Sequence, residues 1–163
     1  MIREMRKGEE HSVRTLLAKL DYEDQILWHK GLKSFEECLQ KSNAIPISRM
    51  IKGKNAIFVA DECDKIIGFC WCTVVDRGVD KQGEIAEFYL EKDFRGRGIG
   101  RDLIAVAKQF FIDEKVEVAF VWTHHGNQTA IELYKNAGFK EITQLVMVFI
   151  PESQPTNQHS EKL

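Results

Sequence analysis

Three observations predict a mixed α/β layer fold. Runs rich in β-forming residues fill the middle of the chain, and segments with apolar residues at helical spacing flank them. The length, 163 residues, suits one domain around one core. Hydrophobic residues at 44% and charged residues at 29% are ordinary for a globular protein, which excludes wholesale disorder. Composition is even from Met1 to Ile150, so residues 1–150 are expected to form a single domain. Residues 151–163, polar and holding two of the three prolines, are expected to be a solvated tail.

The elements follow in order. Met1–Arg6 reads as a short strand. Glu9–Leu20 reads as an amphipathic helix, with Val13, Leu16, Leu17 and Leu20 on one side. Tyr22–Leu39 suggests further helix, interrupted near Gly31. Asn55–Asp61 and Ile66–Val75 are β-rich runs around the turn-forming Glu62-Cys63-Asp64-Lys65, a hairpin signal. Asp76–Gly83 reads as a polar loop and Glu84–Glu91 as a strand. Gly98–Asp113 is a helix whose stripe runs through Ile99, Leu103, Ala107 and Phe110, widened by Ile104, Val106 and Phe111. Val116–Thr123 reads as a strand, Gln128–Ala137 as a helix closed by Gly138, and Leu145–Ile150 as a last strand.

Several classes are disfavoured at once. A formal net charge of −2 argues against a chain-wide grip on nucleic acid. No apolar run approaches the roughly 18 residues of a membrane span. Met1–Arg14 alternates apolar and charged residues without the apolar core of a signal peptide. Cys38, Cys63, Cys70 and Cys72 lack metal-site spacing, so buried, reduced thiols, no metal and a cytoplasmic location are expected. His124-His125 reads as a strand-end pair rather than a ligand set.

The informative stretch is Arg95-Gly96-Arg97-Gly98-Ile99-Gly100, between a strand and a long helix. A helix start leaves main-chain N–H groups unpaired and carries partial positive charge. Three glycines let a ligand oxygen approach that backbone, and Arg95 and Arg97 add charge suited to phosphate. Together these predict a pyrophosphate site. A P-loop is excluded because no Gly-Lys-Ser/Thr follows. The dinucleotide fingerprint is excluded because position 101 is Arg101 rather than glycine. The plain alternative is a tight turn that starts a helix.

The order Arg-x-x-Gly-x-Gly, here Arg95, Gly98 and Gly100, resembles the acetyl-coenzyme A signature of the GNAT superfamily of N-acetyltransferases. Downstream, Asn127 to Phe139 resembles that family's second signature, Asn-x-x-Ala-x-x-Leu-Tyr-x-x-x-Gly-Phe. The resemblance extends from Met1 to about Pro151. It implies a mostly antiparallel sheet flanked by helices, with the fourth and fifth strands splayed around acetyl-coenzyme A. It implies that main-chain groups from Gly96 through Arg97, Gly98, Ile99 and Gly100 to Arg101, together with Arg95, hold the pyrophosphate. Main-chain groups of Phe88, Tyr89 and Leu90 would pair with the pantetheine arm as an added strand. Asn127 would contact that arm, or simply cap the next helix. Tyr134 would lie by the thioester sulfur, or pack in the core beside Ile131 and Leu133.

The chemistry so implied is direct acetyl transfer to a primary amine: a small amine, an antibiotic amine, an amino-acid derivative or a protein amine. The amine is protonated at neutral pH and must lose a proton before attack. Tyr134, a neutral phenol, suits the acid that meets the departing thiolate. Glu84 and Glu87 are the candidate bases, on opposite faces unless a bulge intervenes. Glu87 is nearer the expected acetyl position. Tyr22, Trp28 and Phe35, with Asp21, Glu23 and Asp24, either line an amine slot or form a helical lid packed on the sheet. A non-catalytic acyl-coenzyme A sensor and a plain anion binder remain rivals. Whether two copies form a homodimer is left open.

Overall fold

The computed structural model describes residues 1–28, 33–44, 46–47, 53–143 and 147, with the side chains of 26–28 outside that description. The elements are β1 (Ile2–Glu4), α1 (Glu10–Trp28), α2 (Phe35–Ala44), β2 (Lys54–Glu62), β3 (Lys65–Asp76), β4 (Lys81–Leu90), a short 3-10 turn (Lys92–Phe94), α3 (Ile99–Asp113), β5 (Val118–Val121) and α4 (Gln128–Asn136). The five strands among the described residues lie in sequence order in one sheet. Every neighbouring pair is antiparallel except β4–β5, which is parallel. The expected mixed, mostly antiparallel sheet flanked by helices is what the chain forms.

The β2–β3 hairpin closes on Cys63 and Asp64, whose φ values of 50° and 62° give a two-residue turn matched to strand twist. Three expectations need correction. Helix α1 runs unbroken to Trp28, because Asp21, Tyr22, Glu23 and Asp24 continue it despite breaking the apolar spacing. The loop expected over Asp76–Gly83 is shorter, since β4 already begins at Lys81 and pairs Asp76 with Lys81. Tertiary pairing overrides the polar character of Lys81 and Gln82. Strand β5 spans Val118–Val121 only, so His124 and His125 follow it in a loop rather than at its end. Gly31, the expected strand Leu145–Ile150 apart from Met147, and the tail Pro151–Leu163 lie outside the described residues.

Side chains alternate across the sheet, so each face has its own core. One face sets Phe58, Cys70, Cys72, Ile85 and Leu90 against Leu103, Ile104, Ala107 and Phe111 of α3 and Tyr134 of α4. The other sets Val59, Phe69, Trp71 and Tyr89 against Val13, Leu16 and Leu17 of α1. Leu103 and Ile104 are fully buried, each contributing roughly 2 kcal/mol of apolar transfer. At Gly68 the sheet closes on itself: an added Cβ would stand 2.7 Å from Leu90 Cδ1 and 2.9 Å from the Tyr89 carbonyl. Cys70 and Cys72 share one face with their sulfurs 3.8 Å apart. Both are free and buried, as is Cys38, whereas Cys63 is exposed in its turn, a departure from the buried expectation.

Candidate active site

Two interruptions of the sheet build the site. The first is a bulge in β4. Trp71 pairs with Glu87 and Cys72 with Ile85, which leaves Ala86 as an extra residue in the ladder. Glu84 pairs with Thr73, so Glu84 and Glu87 both stand on the face of Trp71 and Thr73. The simple alternation that separates the two glutamates is thereby overturned. Glu84 is also internal to its strand rather than at its end.

The second interruption is a splay. Strand β4 pairs with β5 only from Gln82↔Val118 to Ile85↔Val121. Residues 87–90 then run on, paired with β3 on one side and without β5 on the other. That stretch has an open main-chain edge facing a notch between the two strands. Phe88 turns into the notch-side core, and Tyr134 of α4 meets it with ring centroids 6.2 Å apart at 70°. Phe139 holds the same tyrosine from the other side at 5.7 Å. Tyr134 is 7% exposed. Burial above all, then Cys70, Cys72 and Glu87, pushes its phenol above the ordinary tyrosine range, so it is a protonated donor at neutral pH.

Beyond the open edge, the chain makes the short 3-10 turn and enters α3 through Arg95–Gly98. Gly98 caps α3 with φ +84° and has no side-chain hydrogen bond to offer. The first intrahelical bond is donated by Asp102 to the Gly98 carbonyl at 3.1 Å. The N–H groups of Ile99, Gly100 and Arg101 therefore face outward at the positive end of the helix. Gly96 likewise has φ +77° and no atom within 4 Å of a built Cβ, leaving the backbone open to a ligand oxygen. Arg97 lies over the Phe94 ring at 5.0 Å. The Arg95 guanidinium is turned elsewhere: its Nε donates to the Leu90 carbonyl at 2.8 Å and one terminal nitrogen donates to Glu23 at 3.1 Å.

On the Glu84/Glu87 face the field is acidic. Burial raises the Glu87 carboxyl to about 7, helped by Asp21 and Asp24 of α1 and by Glu84, and opposed by Lys41 of α2. Lys41 itself is 3.0 Å from Asp21. Tyr22 meets Phe35 edge to face at 6.2 Å, and the Trp28 side chain lies outside the described residues. Asn127 caps α4, its Oδ1 accepting from the Ala130 N–H at 3.2 Å. Gly138 ends that helix with φ +91°, as expected.

The expected residues thus gather at the C-terminal end of β4: Glu87, Phe88, Tyr89 and Leu90 on the strand, Gly96–Arg101 at the helix start, and Tyr134 across the notch. Sequence reading missed the charge of Lys41 on α2 that acts on Glu87 and the grip of Glu23 on Arg95. Both are interactions between residues far apart in the chain, without a local signal. Cavities of about 430 and 290 Å³ flank β5 and α4. Among their described linings only Tyr134 belongs to the site. No group of three or more metal-ligating side chains occurs among the described residues, nor any described helix long and apolar enough to cross a membrane.

The overall fold is shared with solved acetyltransferases. The aminoglycoside N-acetyltransferase AAC(6')-Iy, solved with coenzyme A, superposes with a TM-score of 0.66 at 21% identity, over 94% of this chain and 100% of that one. An aminoglycoside acetyltransferase from an uncultured soil metagenomic sample, solved with sisomicin, has a TM-score of 0.66 at 16% identity, over 94% and 96% of the two chains. At such identity the likeness is one of fold. Residues 20–139 match the acetyltransferase (GNAT) family, and the chain belongs to that family.

Among curated relatives, an uncharacterised N-acetyltransferase of Methanocaldococcus jannaschii is 34% identical over 96 residues, 56% of this chain and 42% of that protein. N-alpha-acetyltransferase 30 of Schizosaccharomyces pombe is 26% identical over 129 residues, 75% of this chain and 86% of that protein. The match spans only 42% of the archaeal relative and 27% of a mycothiol acetyltransferase from Propionibacterium freudenreichii.

Proposed function

We propose that this chain is an N-acetyltransferase that passes an acetyl group from acetyl-coenzyme A directly to a primary amine, through the domain formed by residues 1–150. The observation that carries the proposal is the departure of β4 from β5 after Ile85. It puts an open strand edge, the outward amides of Ile99–Arg101 and the Tyr134 phenol around one notch. Support for this donor comes from the loop: Gly96 has no atom within 4 Å of a Cβ position, and Gly98 meets only the Arg101 guanidinium at 3.4 Å, a flexible cation suited to a diphosphate.

Bound acetyl-coenzyme A supplies the activated acyl group. The amides of Ile99, Gly100 and Arg101 hold its diphosphate, with Arg97 and Arg101 adding charge. Main-chain groups of Phe88, Tyr89 and Leu90 align the pantetheine arm as a further strand. Asn127, with its carbonyl oxygen used in the cap, keeps its amide N–H groups for that arm. Glu87 takes the proton from the incoming ammonium, and its raised carboxyl pKa matches that task near neutrality. Tyr134 gives its proton to the sulfur as the thiolate leaves. Asp21, Asp24 and Glu84 favour an acceptor that arrives as a cation. A reducing, cytoplasmic setting suits the free thiols.

The test is a panel of amines assayed for coenzyme A thiol release, run beside thermal melts with coenzyme A. Amine-dependent release together with stabilisation by the ligand supports the proposal. Stabilisation without release for any amine class favours a non-catalytic acyl-coenzyme A sensor. A melt unmoved at millimolar ligand contradicts both.

A further inference from the structure

One charged group at the site has no part in the chemistry above. The Tyr89 hydroxyl donates to Glu23 Oε1 at 2.8 Å, and Arg95 donates to Glu23 Oε2 at 3.1 Å. Lys92 Nζ stands 3.7 Å from the same carboxylate. Arg95 also donates to the Leu90 carbonyl at 2.8 Å and lies 5.5 Å from the centre of the Tyr89 ring. One turn earlier on α1, Lys19 pairs with Glu91. Lys19 and Glu23, four residues apart, share a helix face. From that face α1 grips residues 89–95, the segment that joins the open edge of β4 to the start of α3.

The grip is built to hold a charge. Burial pushes the Glu23 carboxyl up, but the hydrogen bonds from Tyr89 and Arg95 and the charges of Arg95 and Lys92 outweigh it and leave it below the ordinary range. It is ionised at neutral pH. Asp21 and Asp24, on the same helix, contribute to the field at Glu87. One rigid element therefore carries both the acids of the amine side and the hold on the coenzyme side.

We propose that Glu23 is a positioning residue: through Arg95 and Tyr89 it fixes the segment 89–95, and so presets the strand edge and the α3 amides for the acyl-coenzyme A. The inference rests on the acetyl-coenzyme A reading above. Without the carboxylate, Arg95 keeps the Leu90 carbonyl but loses its second anchor, and Tyr89 loses its acceptor. The segment then orders only when ligand binds, which weakens binding. Loss of this charge-assisted pair corresponds to about a tenfold change in affinity.

The experiment measures coenzyme A affinity by titration calorimetry, with initial-rate kinetics, on the wild type, E23A and E23Q. E23A is expected to raise both Kd for coenzyme A and KM for acetyl-coenzyme A about tenfold, with kcat little changed. E23Q, whose amide oxygen still accepts from Tyr89, is expected to fall between and to serve alone if E23A does not fold. Wild-type affinity and KM in a folded variant, even one with a lowered Tm, overturn the inference while leaving the acetyltransferase reading intact. A wild type that binds no coenzyme A overturns both.

Discussion

Glu84 and Glu87 share one face of β4 although three positions separate them, because Ala86 stands outside the ladder between them. The bulge turns Glu87 toward the acids of α1 while Phe88, its neighbour, meets Tyr134 on the other face. The proposed base and acid, Glu87 and Tyr134, thus lie on opposite faces of a single strand.

If Glu87 is the base, Glu87→Gln lowers kcat by about 100-fold or more, the ordinary worth of a positioned proton acceptor. Wild-type activity should rise with pH through about 7, where the carboxyl ionises, and that limb should vanish in the variant. An unchanged pH–rate profile would assign the base elsewhere.

The same carboxyl carries a stability cost. Its folded pKa, about 7, lies above that of the unfolded chain, so between the two values the folded state binds more protons. Stability is fully present below the ordinary carboxylate range and is lost as pH rises through about 7. Glu87→Gln should therefore stabilise the fold at pH 8 by up to about 3 kcal/mol and raise Tm accordingly, with the gain shrinking toward pH 4. Equal Tm changes at both pH values would show that burial does not perturb the group.

Tyr134→Phe keeps the rings of Phe88 and Phe139 in contact and removes only the hydroxyl. Turnover should fall roughly 10- to 100-fold while coenzyme A affinity, read by titration calorimetry, stays near wild type. A loss of affinity equal to the loss of rate would return Tyr134 to a packing role.

Much of this arrangement was legible in local sequence. Gly98 and Gly100 announced the helix start, Cys63-Asp64 the hairpin, and Asn127 and Gly138 the two ends of α4, because caps and turns are set by residues a few positions apart. The family resemblance added Tyr134 and the splay of β4 from β5. The bulge left no mark, since Ala86 is unremarkable in composition and only its pairing with β3 reveals it. The full length of α1 was hidden by the run Asp21–Asp24, whose acids lie in the field at Glu87 and against Arg95 rather than in the core. The pairing of Arg95 was hidden for the same reason: its acceptor on α1 lies 72 residues away, beyond any local pattern.

Gly68→Ala tests the close packing beneath the site. Its Cβ would meet both Leu90 Cδ1 and the Tyr89 carbonyl at under 3 Å, and the backbone oxygen has nowhere to go. Chemical denaturation should show a loss of about 1–3 kcal/mol. A neutral result would mean that β3 and β4 separate more freely at this point than the structure indicates.

The central claim is tested most directly by a crystal structure of the chain with acetyl-coenzyme A. The account predicts the diphosphate on the N–H groups of Ile99, Gly100 and Arg101, the pantetheine arm along residues 86–90, and the sulfur beside the Tyr134 hydroxyl. A diphosphate bound elsewhere, with the α3 start untouched and the thioester remote from Tyr134, would contradict it.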